Sequence, residues 1–494
     1  MSGLTGVAQV LHHKVSLIKS LMEDLSEFAS ENCVHAYFAD SLSMFQMLEE
    51  ELSIQFDRAN FFLSFLADHS VPPPAASAGY FSVLPREVEL HIMSYLSESE
   101  LNTVALLSNH HKQLADDDEL WRRLYGVKWA SRRKQRSSYP TDETSWKNYF
   151  VERQKVERHW KTGEYAIKTV QGHSGPVLCL SFDNRNIITG SGHREIRVWD
   201  LKTRRCKHTL SGHTDSVYCL QHDDEKIVSG SADKTVRIWQ IRDRDSWQDL
   251  DQSGDEAGIK CTKRLTGHTD AVMSLQYDKD RIVTGSADNT IKVWDPVTGK
   301  CLATLQGHTG RVWSLQFEGN RLVSGANDKT IRVWDLQTGV CTMTLQRHTH
   351  SIRCLQFDKN KIMSGSNDRT IKLWDVNTGQ CLHTLKGHTD WVRCLKFDDS
   401  KMASGGFDET IKLWDMHTGK CLTTLKGHTD AVMCLQFDSR RIVSGSKDKN
   451  LIVWDFTQRE KRREGRIVLK TKKSATHDGA YIWKGRGRGV PLAS

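Results

Sequence analysis

The sequence predicts a mainly β protein in which seven four-stranded sheets stack as blades around one axis, after an initial helical part. Two observations predict this. A histidine, usually preceded by glycine, recurs at seven positions, 40 residues apart except for one step of 55: 173, 213, 268, 308, 348, 388 and 428. Each histidine is followed by four short apolar stretches separated by Asp- and Gly-containing turns, typical of an antiparallel sheet. Such sheets bury both faces only by stacking on one another.

Charge is distributed unevenly along the 494 residues. The net charge is +8, and residues 457–494 carry all of it, so the rest of the chain is neutral. A folded body without excess positive charge is not expected to bind nucleic acid through bulk electrostatics. Nucleic acid therefore remains a possible partner only for the tail.

The apolar segments and cysteines indicate where the protein works. The longest apolar stretch, 61–67, is too short to span a bilayer, and the first residues lack a signal-peptide pattern. Eleven of twelve cysteines recur in two slots of the repeat, without a CxxC pair, and are predicted to be small buried side chains. The first slot holds Cys206, Cys261, Cys301, Cys341, Cys381 and Cys421; the second holds Cys179, Cys219, Cys354, Cys394 and Cys434. We expect a reducing compartment, cytoplasm and/or nucleus, and no membrane association.

At the end of the third strand of each repeat, the residues resemble the WD-repeat family. Trp-Asp occurs at 199–200, 294–295, 334–335, 374–375, 414–415 and 454–455, with Trp239-Gln240 as a variant. The resemblance covers about 300 residues and implies a seven-bladed WD-repeat β-propeller over 161–457. It also implies a hydrogen-bonded set within each blade, for example His388, Ser404, Asp408 and Trp414.

This set contains the residue types of a hydrolase triad, but seven copies are a poor way to build one active site. We therefore predict no catalytic residue, no metal and no cofactor. Blade one departs from the pattern because His193 stands where the aspartate is expected, so its turn is predicted to be less well tied.

In WD propellers the first repeat begins with the outer strand of the last blade. Glu164 to Val170 is predicted to supply this strand and close the ring, and Gly465 to Thr471 is the alternative. The 15 additional residues of the long repeat fall at 241–258 and are predicted to form an exposed loop.

Residues 80–127 resemble an F-box, in the order Leu-Pro, helix, Leu, helix, Leu-Trp. The amphipathic segments begin at Leu84-Pro85 and Leu101, and Leu120-Trp121 closes the motif. His111 replaces the tryptophan usual in the middle helix, which could weaken packing or partner binding.

Together with the blades, the F-box resembles the F-box/WD-repeat proteins of the Cdc-four and β-transducin-repeat-containing kind. The resemblance implies a non-catalytic substrate receptor of an SCF ubiquitin ligase, bound to a Skp-type adaptor and cullin. Apolar side chains would dock on the adaptor: Leu84, Pro85, Ile92, Leu96 and Leu101.

The flanking segments are assigned by composition and spacing. Residues 1–70 are predicted to be helical, with a short apolar seam that fits either homodimerisation or internal packing. Residues 71–79 form a linker, and 128–160 a helical linker into the propeller.

One rim of the propeller is predicted to bind the substrate. The loop before each inner strand and the turn between the second and third strands lie on the same rim, and in blades four to seven these positions are cationic and aromatic. Guanidinium groups suit phosphate and aromatic rings supply rigid contact area, so phosphorylated proteins are the predicted ligands; ordinary exposed rim residues are the alternative. The predicted substrate-binding residues are Tyr218, Arg311, Trp313, Asn327, Arg353, Asn367, Trp391, Arg393, Phe407 and Lys447.

The basic tail, 458–494, leaves a second function open. Its Lys/Arg clusters fit nuclear import, RNA binding or a solvated disordered tail equally well. The alternative to a ligase subunit is therefore a WD-repeat scaffold tethered to RNA or chromatin.

Overall fold

The computed structural model describes residues 86, 90, 93–106, 109–129, 145–241, 258–416 and 418–458. The predicted N-terminal helical region, the 71–79 linker, most of the 241–258 loop, the rival closing strand at 465–471 and nearly all of the basic tail lie outside these residues. None of the described helices is long and apolar enough to cross a membrane.

The helical part contains α1 (Glu98–Val104), α2 (Asn109–Ala115), α3 (Asp118–Trp129) and α4 (Trp146–Thr162). The backbone N–H of Ser97 donates to the Glu100 carboxylate (2.7 Å) at the start of α1, which satisfies a donor that the helix leaves free. These helices share one apolar core, formed by Met93, Leu101, Leu114, Leu120, Trp121, Trp129 and Phe150.

Seven four-stranded antiparallel sheets follow, confirming the predicted fold class. From the inner to the outer strand, blade one is β2 (Val177–Phe182), β3 (Asn186–Ser191), β4 (Ile196–Asp200) and β5 (Cys206–Leu210). Blade two is β6 (Val217–His222), β7 (Lys226–Ser231), β8 (Val236–Ile241) and β9 (Ile259–Leu265). Blade three is β10 (Val272–Tyr277), β11 (Ile282–Ser286), β12 (Ile291–Trp294) and β13 (Cys301–Leu305).

Blade four is β14 (Val312–Glu318), β15 (Arg321–Ala326), β16 (Thr330–Asp335) and β17 (Cys341–Gln346). Blade five is β18 (Ile352–Phe357), β19 (Lys361–Ser366), β20 (Thr370–Asp375) and β21 (Cys381–Lys386). Blade six is β22 (Val392–Phe397), β23 (Lys401–Gly406), β24 (Thr410–Asp415) and β25 (Cys421–Lys426). Blade seven is β26 (Val432–Phe437), β27 (Arg441–Ser446), β28 (Leu451–Asp455) and, from the start of the propeller, β1 (Ala166–Val170).

The N-terminal strand closes the ring, as predicted. Strand β1 pairs antiparallel with β28, with Ala166 opposite Asp455 and Val170 opposite Leu451. Lys168 donates to the Asp455 carboxylate across this pair (3.0 Å). Closing the ring with a strand from the opposite end of the propeller ties its first and last repeats together and removes an open sheet edge.

Apolar residues between neighbouring blades form the propeller core. Between blades one and two, for example, Ile188 and Val198 pack with Val217 and Trp239. The glycine after each Ser or Thr permits this packing: a Cβ atom on Gly405 would lie 2.7 Å from a methyl group of Val432 in the next blade. Any larger residue at this position would push the two blades apart.

The cysteine prediction is confirmed for one slot and wrong for the other. The inner-strand cysteines Cys179, Cys219, Cys354, Cys394 and Cys434 are buried, whereas the six cysteines at or near the start of the outer strands are exposed or half-buried. The outer strand is the edge of its blade, and no neighbouring sheet covers its first residues. In β5, for instance, only the last residue, Leu210, is buried.

Helix α4 connects the helical part to the propeller. Near its start Phe150 packs in the helical core, and near its end Trp160 stacks on Phe456 (4.2 Å between ring centroids) beside blade seven. His159 is buried, and its Nδ1 lies 2.7 Å from the Phe456 carbonyl oxygen. The helix ends at Gly163, whose φ of 72° suits glycine. One continuous helix is thus anchored in both parts.

Candidate ligand-binding face of the propeller

The loops before the inner strands and the turns between the second and third strands meet at one end of the propeller, here called the top face. Backbone hydrogen bonds join the two in each blade, as between Asn327 N–H and the Arg311 carbonyl (2.9 Å) or Phe407 N–H and the Trp391 carbonyl (2.9 Å). Two groups of polar residues occupy this face: a buried set repeated in the blades and a rim set that changes from blade to blade.

The buried set, here called the tetrad, is the predicted His, Ser/Thr, Asp and Trp. In blade six the Trp414 indole N–H donates to Ser404 Oγ (2.8 Å), Ser404 Oγ lies 2.7 Å from His388 Nε2, and His388 Nδ1 lies 2.8 Å from Asp408 Oδ2. Burial would raise the pKa of Asp408, but the hydrogen bond and charge of His388 outweigh it and lower the pKa to about 2. The ionised Asp408 carboxylate therefore accepts a hydrogen bond from His388, and Ser404 accepts one from Trp414. The polar groups of the tetrad thus pair with one another, and the set has a structural role.

Blade one lacks the aspartate, and its tetrad is incomplete, as predicted. Thr189 Oγ1 still lies 2.7 Å from His173 Nε2 and accepts from the Trp199 indole (2.8 Å). His173 Nδ1, however, is buried without a hydrogen-bond partner. Burial, the Arg197 charge and the His193 ring lower the pKa of His173 to about 4.

The rim residues of blades four to six converge. The Arg353 guanidinium lies 3.9 Å from the centre of the Trp313 ring and 5.5 Å from that of Trp391, and the Arg393 guanidinium lies 5.7 Å from the Trp313 ring. We call Arg311, Trp313, Arg353, Trp391 and Arg393 the arginine–tryptophan cluster. Cation–π stacking of this kind fixes a guanidinium in place while leaving its N–H edge free to donate.

The cluster is a concentration of positive charge without a compensating carboxylate among the described residues. Burial, Arg393 and Arg311 lower the pKa of Arg353 to about 10, so both other guanidiniums repel the charge on Arg353. The Arg353 side chain donates a hydrogen bond from Nε to the neutral amide oxygen of Asn367 (2.9 Å). Like charges held together in this way favour binding of an anion.

The other predicted rim residues lie around this cluster. Trp391 contacts Phe407 (5.1 Å between ring centroids), and Lys447 lies 4.5 Å from the Phe407 ring. Asn327 accepts a hydrogen bond from Ser351 (2.5 Å), which joins blades four and five. Tyr218, in blade two, makes none of these contacts. The structure thus brings nine of the ten predicted residues onto one side of the top face, and their binding role stays a prediction.

The predicted adaptor-binding residues are placed in part. Leu84, Pro85 and Ile92 lie outside the described residues. Leu96 is half-buried and packs against the helical core, while Leu101 is fully buried within it. Leu101 thus stabilises the F-box from inside and presents no surface in this structure, because α1 turns its apolar side toward Trp121. Leu106, which sequence reasoning did not select, is 86% exposed.

The fold, with six complete tetrads and a seventh that lacks its aspartate, defines the class: a WD-repeat β-propeller preceded by a small helical domain. A model of the WD domain, G-beta repeat, matches 165–200, 204–240, 259–295, 299–335, 339–375, 379–415 and 419–455, more than half of the chain, and an F-box-like model matches 81–126. The chain therefore belongs to the WD-repeat family and carries an F-box-like segment.

Curated relatives match a part of the chain. The chain is 28% identical over 161 residues to the probable E3 ubiquitin ligase complex SCF subunit sconB of Arthroderma otae, covering 26% of this chain and 24% of that protein. It is 34% identical over 147 residues to F-box/WD repeat-containing protein 7 of Drosophila melanogaster, covering 28% and 11%. The matched segment thus spans about a quarter or less of either relative.

A solved structure supports the fold alone. The WD40 β-propeller domain of Doa1 superposes with a TM-score of 0.51 at 24% sequence identity, over 60% of this chain and 97% of that one.

Proposed function

We propose that this protein is the substrate-recognition subunit of an SCF-type ubiquitin ligase. In this proposal the F-box binds a Skp-type adaptor that is attached to a cullin, and the top face of the propeller binds phosphorylated proteins. The chain itself performs no chemistry: it holds a substrate at a fixed place relative to the rest of the ligase.

The observation that carries the ligand class is the arginine–tryptophan cluster. Three guanidiniums share one side of the top face, two of them stacked on Trp313, with no salt bridge to a described residue. A phosphate group offers several acceptor oxygens and close to two negative charges, so it would satisfy these donors and remove their mutual repulsion. Trp391, 38% exposed, adds apolar contact area beside the phosphate.

Helix α4 supports the ligase role mechanically. Because Phe150 is fixed in the helical core and Trp160 against blade seven, the F-box and the top face keep a defined separation. A substrate held at a fixed place relative to the rest of the ligase reacts in an effectively unimolecular step, without a bimolecular encounter. The similarity of the chain to a protein named as a probable SCF subunit of an E3 ubiquitin ligase complex supports the same role.

Ligand recognition is tested with the full-length protein and an immobilised library of phosphoserine and phosphothreonine peptides. The same library after phosphatase treatment is the control. We expect binding at least a hundredfold weaker after phosphatase treatment, since charge-assisted hydrogen bonds contribute about 1.5–3 kcal/mol each and about 1.4 kcal/mol is tenfold in affinity. Equal binding to both libraries contradicts phosphate recognition.

Adaptor binding is tested separately by replacing Leu84 and Pro85 with glutamate in the full-length chain. An unpaired charge in an apolar groove is costly, so we expect loss of Skp-type adaptor from a pull-down while phosphopeptide binding is retained. Val340→Glu, at a 57% exposed valine of the propeller, is the matched control and should bind the adaptor normally. Failure of the unaltered protein to bind the adaptor would favour the WD-repeat scaffold instead.

A further inference from the structure

The inner strands of the propeller form a ring around a central channel, and one residue position joins each strand to the next. Each inner strand contacts the inner strand of the following blade. At the fifth position of the inner strand a glutamine amide usually bridges two blades: the Gln356 side chain donates to the Phe397 carbonyl (2.9 Å) and accepts from the Phe397 N–H (2.8 Å). We call this pair of hydrogen bonds the amide bridge.

The amide bridge occurs at most junctions of the ring. Gln221, Gln276 and Gln316 make both of its hydrogen bonds to the next blade, and Gln436 accepts from the Phe182 N–H (3.0 Å) across the closing junction. Between blades one and two, Ser181 Oγ lies 2.8 Å from His222 Nδ1 instead.

Between blades six and seven the position is occupied by Lys396. A lysine ammonium has three donors and no acceptor. The N–H of Phe437 therefore loses the acceptor that an amide oxygen provides to the equivalent residue at five other junctions. The junction of blades six and seven therefore holds a cation beside a backbone donor, whereas five other junctions place an amide oxygen beside the equivalent N–H.

No carboxylate near Lys396 compensates its charge among the described residues. Lys396 is exposed to solvent on the inner strand β22, and desolvation by the surrounding protein lowers its pKa. Burial raises the pKa of the nearby Cys394 thiol to about 12, and the charges that oppose this rise belong to Arg393 and Lys396, both cations. The channel at this junction is thus positive and rich in donors.

We propose that the channel at the junction of blades six and seven binds a small oxyanion of the phosphate type, held by the Lys396 ammonium and the Phe437 N–H. The anion supplies the missing acceptor and the missing negative charge together, so it links blade six to blade seven as the glutamines link the other blades. This site is distinct from the arginine–tryptophan cluster and goes beyond the proposed function. Its ligand is free phosphate, because Lys396, the fifth residue of β22, lies near the strand end that is away from the top face.

Thermal unfolding of the full-length protein, followed by its β-sheet circular dichroism, tests the proposal with inorganic phosphate and with chloride at equal ionic strength. We expect a saturable rise in melting temperature of about 3 °C at phosphate concentrations ten times the dissociation constant. Lys396→Gln removes the cation and restores the amide bridge, so it should fold, melt no lower than the unaltered protein in chloride, and show no phosphate-specific rise. Lys386→Gln, at an exposed lysine on β21, makes the same change of charge outside the channel and should keep the rise.

Two further outcomes decide the proposal. Arg353→Gln weakens the top-face cluster and should leave the phosphate-dependent rise intact; its loss in this variant would place the anion at the top face and overturn the proposal. An equal rise in the unaltered protein and in Lys396→Gln, or no rise in either, would also overturn it and leave only water at Lys396.

Discussion

The tetrad and the arginine–tryptophan cluster lie at the same end of the propeller but differ in almost every physical respect. The tetrad of blade six is buried, its polar atoms pair with one another, and blades two to five and seven repeat it with His–Asp distances of 2.7 or 2.8 Å. The cluster occurs once, is partly exposed, and its cations form no salt bridge with a residue that the structure describes. Groups that satisfy one another stabilise the fold, whereas groups left unsatisfied at the surface are available to a ligand.

Blade one and Lys396 extend this comparison. In both places the repeat is interrupted: His173 Nδ1 is buried without a hydrogen-bond partner among the described residues, and Lys396 offers the Phe437 N–H no amide oxygen. An interrupted repeat can therefore mean a local loss of stability as well as a binding site. The predictions below separate these meanings, from the largest expected effect to the smallest.

Removing the hydroxyl at the centre of a complete tetrad should have the largest effect on stability. Ser404→Ala leaves the Trp414 indole N–H and His388 Nε2 buried without partners, each costing about 1–3 kcal/mol, so we expect a loss of roughly 2–4 kcal/mol. Chemical denaturation measures it. A loss below about 0.5 kcal/mol would show that the tetrad is not the stabilising element.

Acidification should reveal the incomplete tetrad of blade one. Burial lowers the pKa of His173 to about 4, against about 6.5 in the unfolded chain. Between these two pH values the imidazole is protonated in the unfolded chain but neutral in the folded protein, so acidification favours unfolding. Stability from this group is complete above pH 6.5 and falls as the pH decreases, by about 2 kcal/mol between pH 7 and 5. The tetrad aspartates affect stability at lower pH. Their pKa values are lowered in the folded protein, so their ionised forms stabilise the fold above about pH 4, and this stabilisation is lost as the pH falls further.

Completing the tetrad of blade one should give a smaller gain. His193→Asp offers a carboxylate to the buried His173 Nδ1, and we expect about 1 kcal/mol of added stability at pH 7, as for one more hydrogen bond. The pH dependence between 7 and 5 should also shrink, since an ionised partner favours the protonated imidazole. Unchanged denaturation curves at both pH values would mean that position 193 does not reach His173.

The sequence alone predicted the parts of the molecule that depend on the repeat. The 40-residue period placed each tetrad residue, the closing strand and the side of the top face where Arg353 and Arg393 meet, because equal positions in successive blades lie at equal heights around one axis. Burial at the outer strands was mispredicted, since apolar periodicity does not show which end of a strand a neighbouring blade covers. Cys206 and Cys301 are exposed for this reason.

Other features needed the coordinates. The stacking of Arg353 between Trp313 and Trp391 depends on rotamers that spacing does not specify. Leu101 lies inside the helical core, although its spacing suited a docking face equally well. The signal for Lys396 was present in the sequence, as one lysine in a slot otherwise filled mostly by glutamine, but its meaning depends on hydrogen bonds between blades.

The most direct test compares stability and ligand affinity in the same full-length preparations of three proteins: unaltered, Arg353→Glu with Arg393→Glu, and Arg205→Glu with Arg264→Glu. The last pair makes the same charge change at two exposed arginines, one just before the outer strand of blade one and one on the outer strand of blade two. We predict that the Arg353/Arg393 pair binds the phosphopeptide library at least a hundredfold more weakly with its β-sheet signal intact, while the control pair binds as the unaltered protein does. Equal weakening by both pairs, or undiminished binding by the Arg353/Arg393 pair, would contradict the assignment of the ligand site to the arginine–tryptophan cluster.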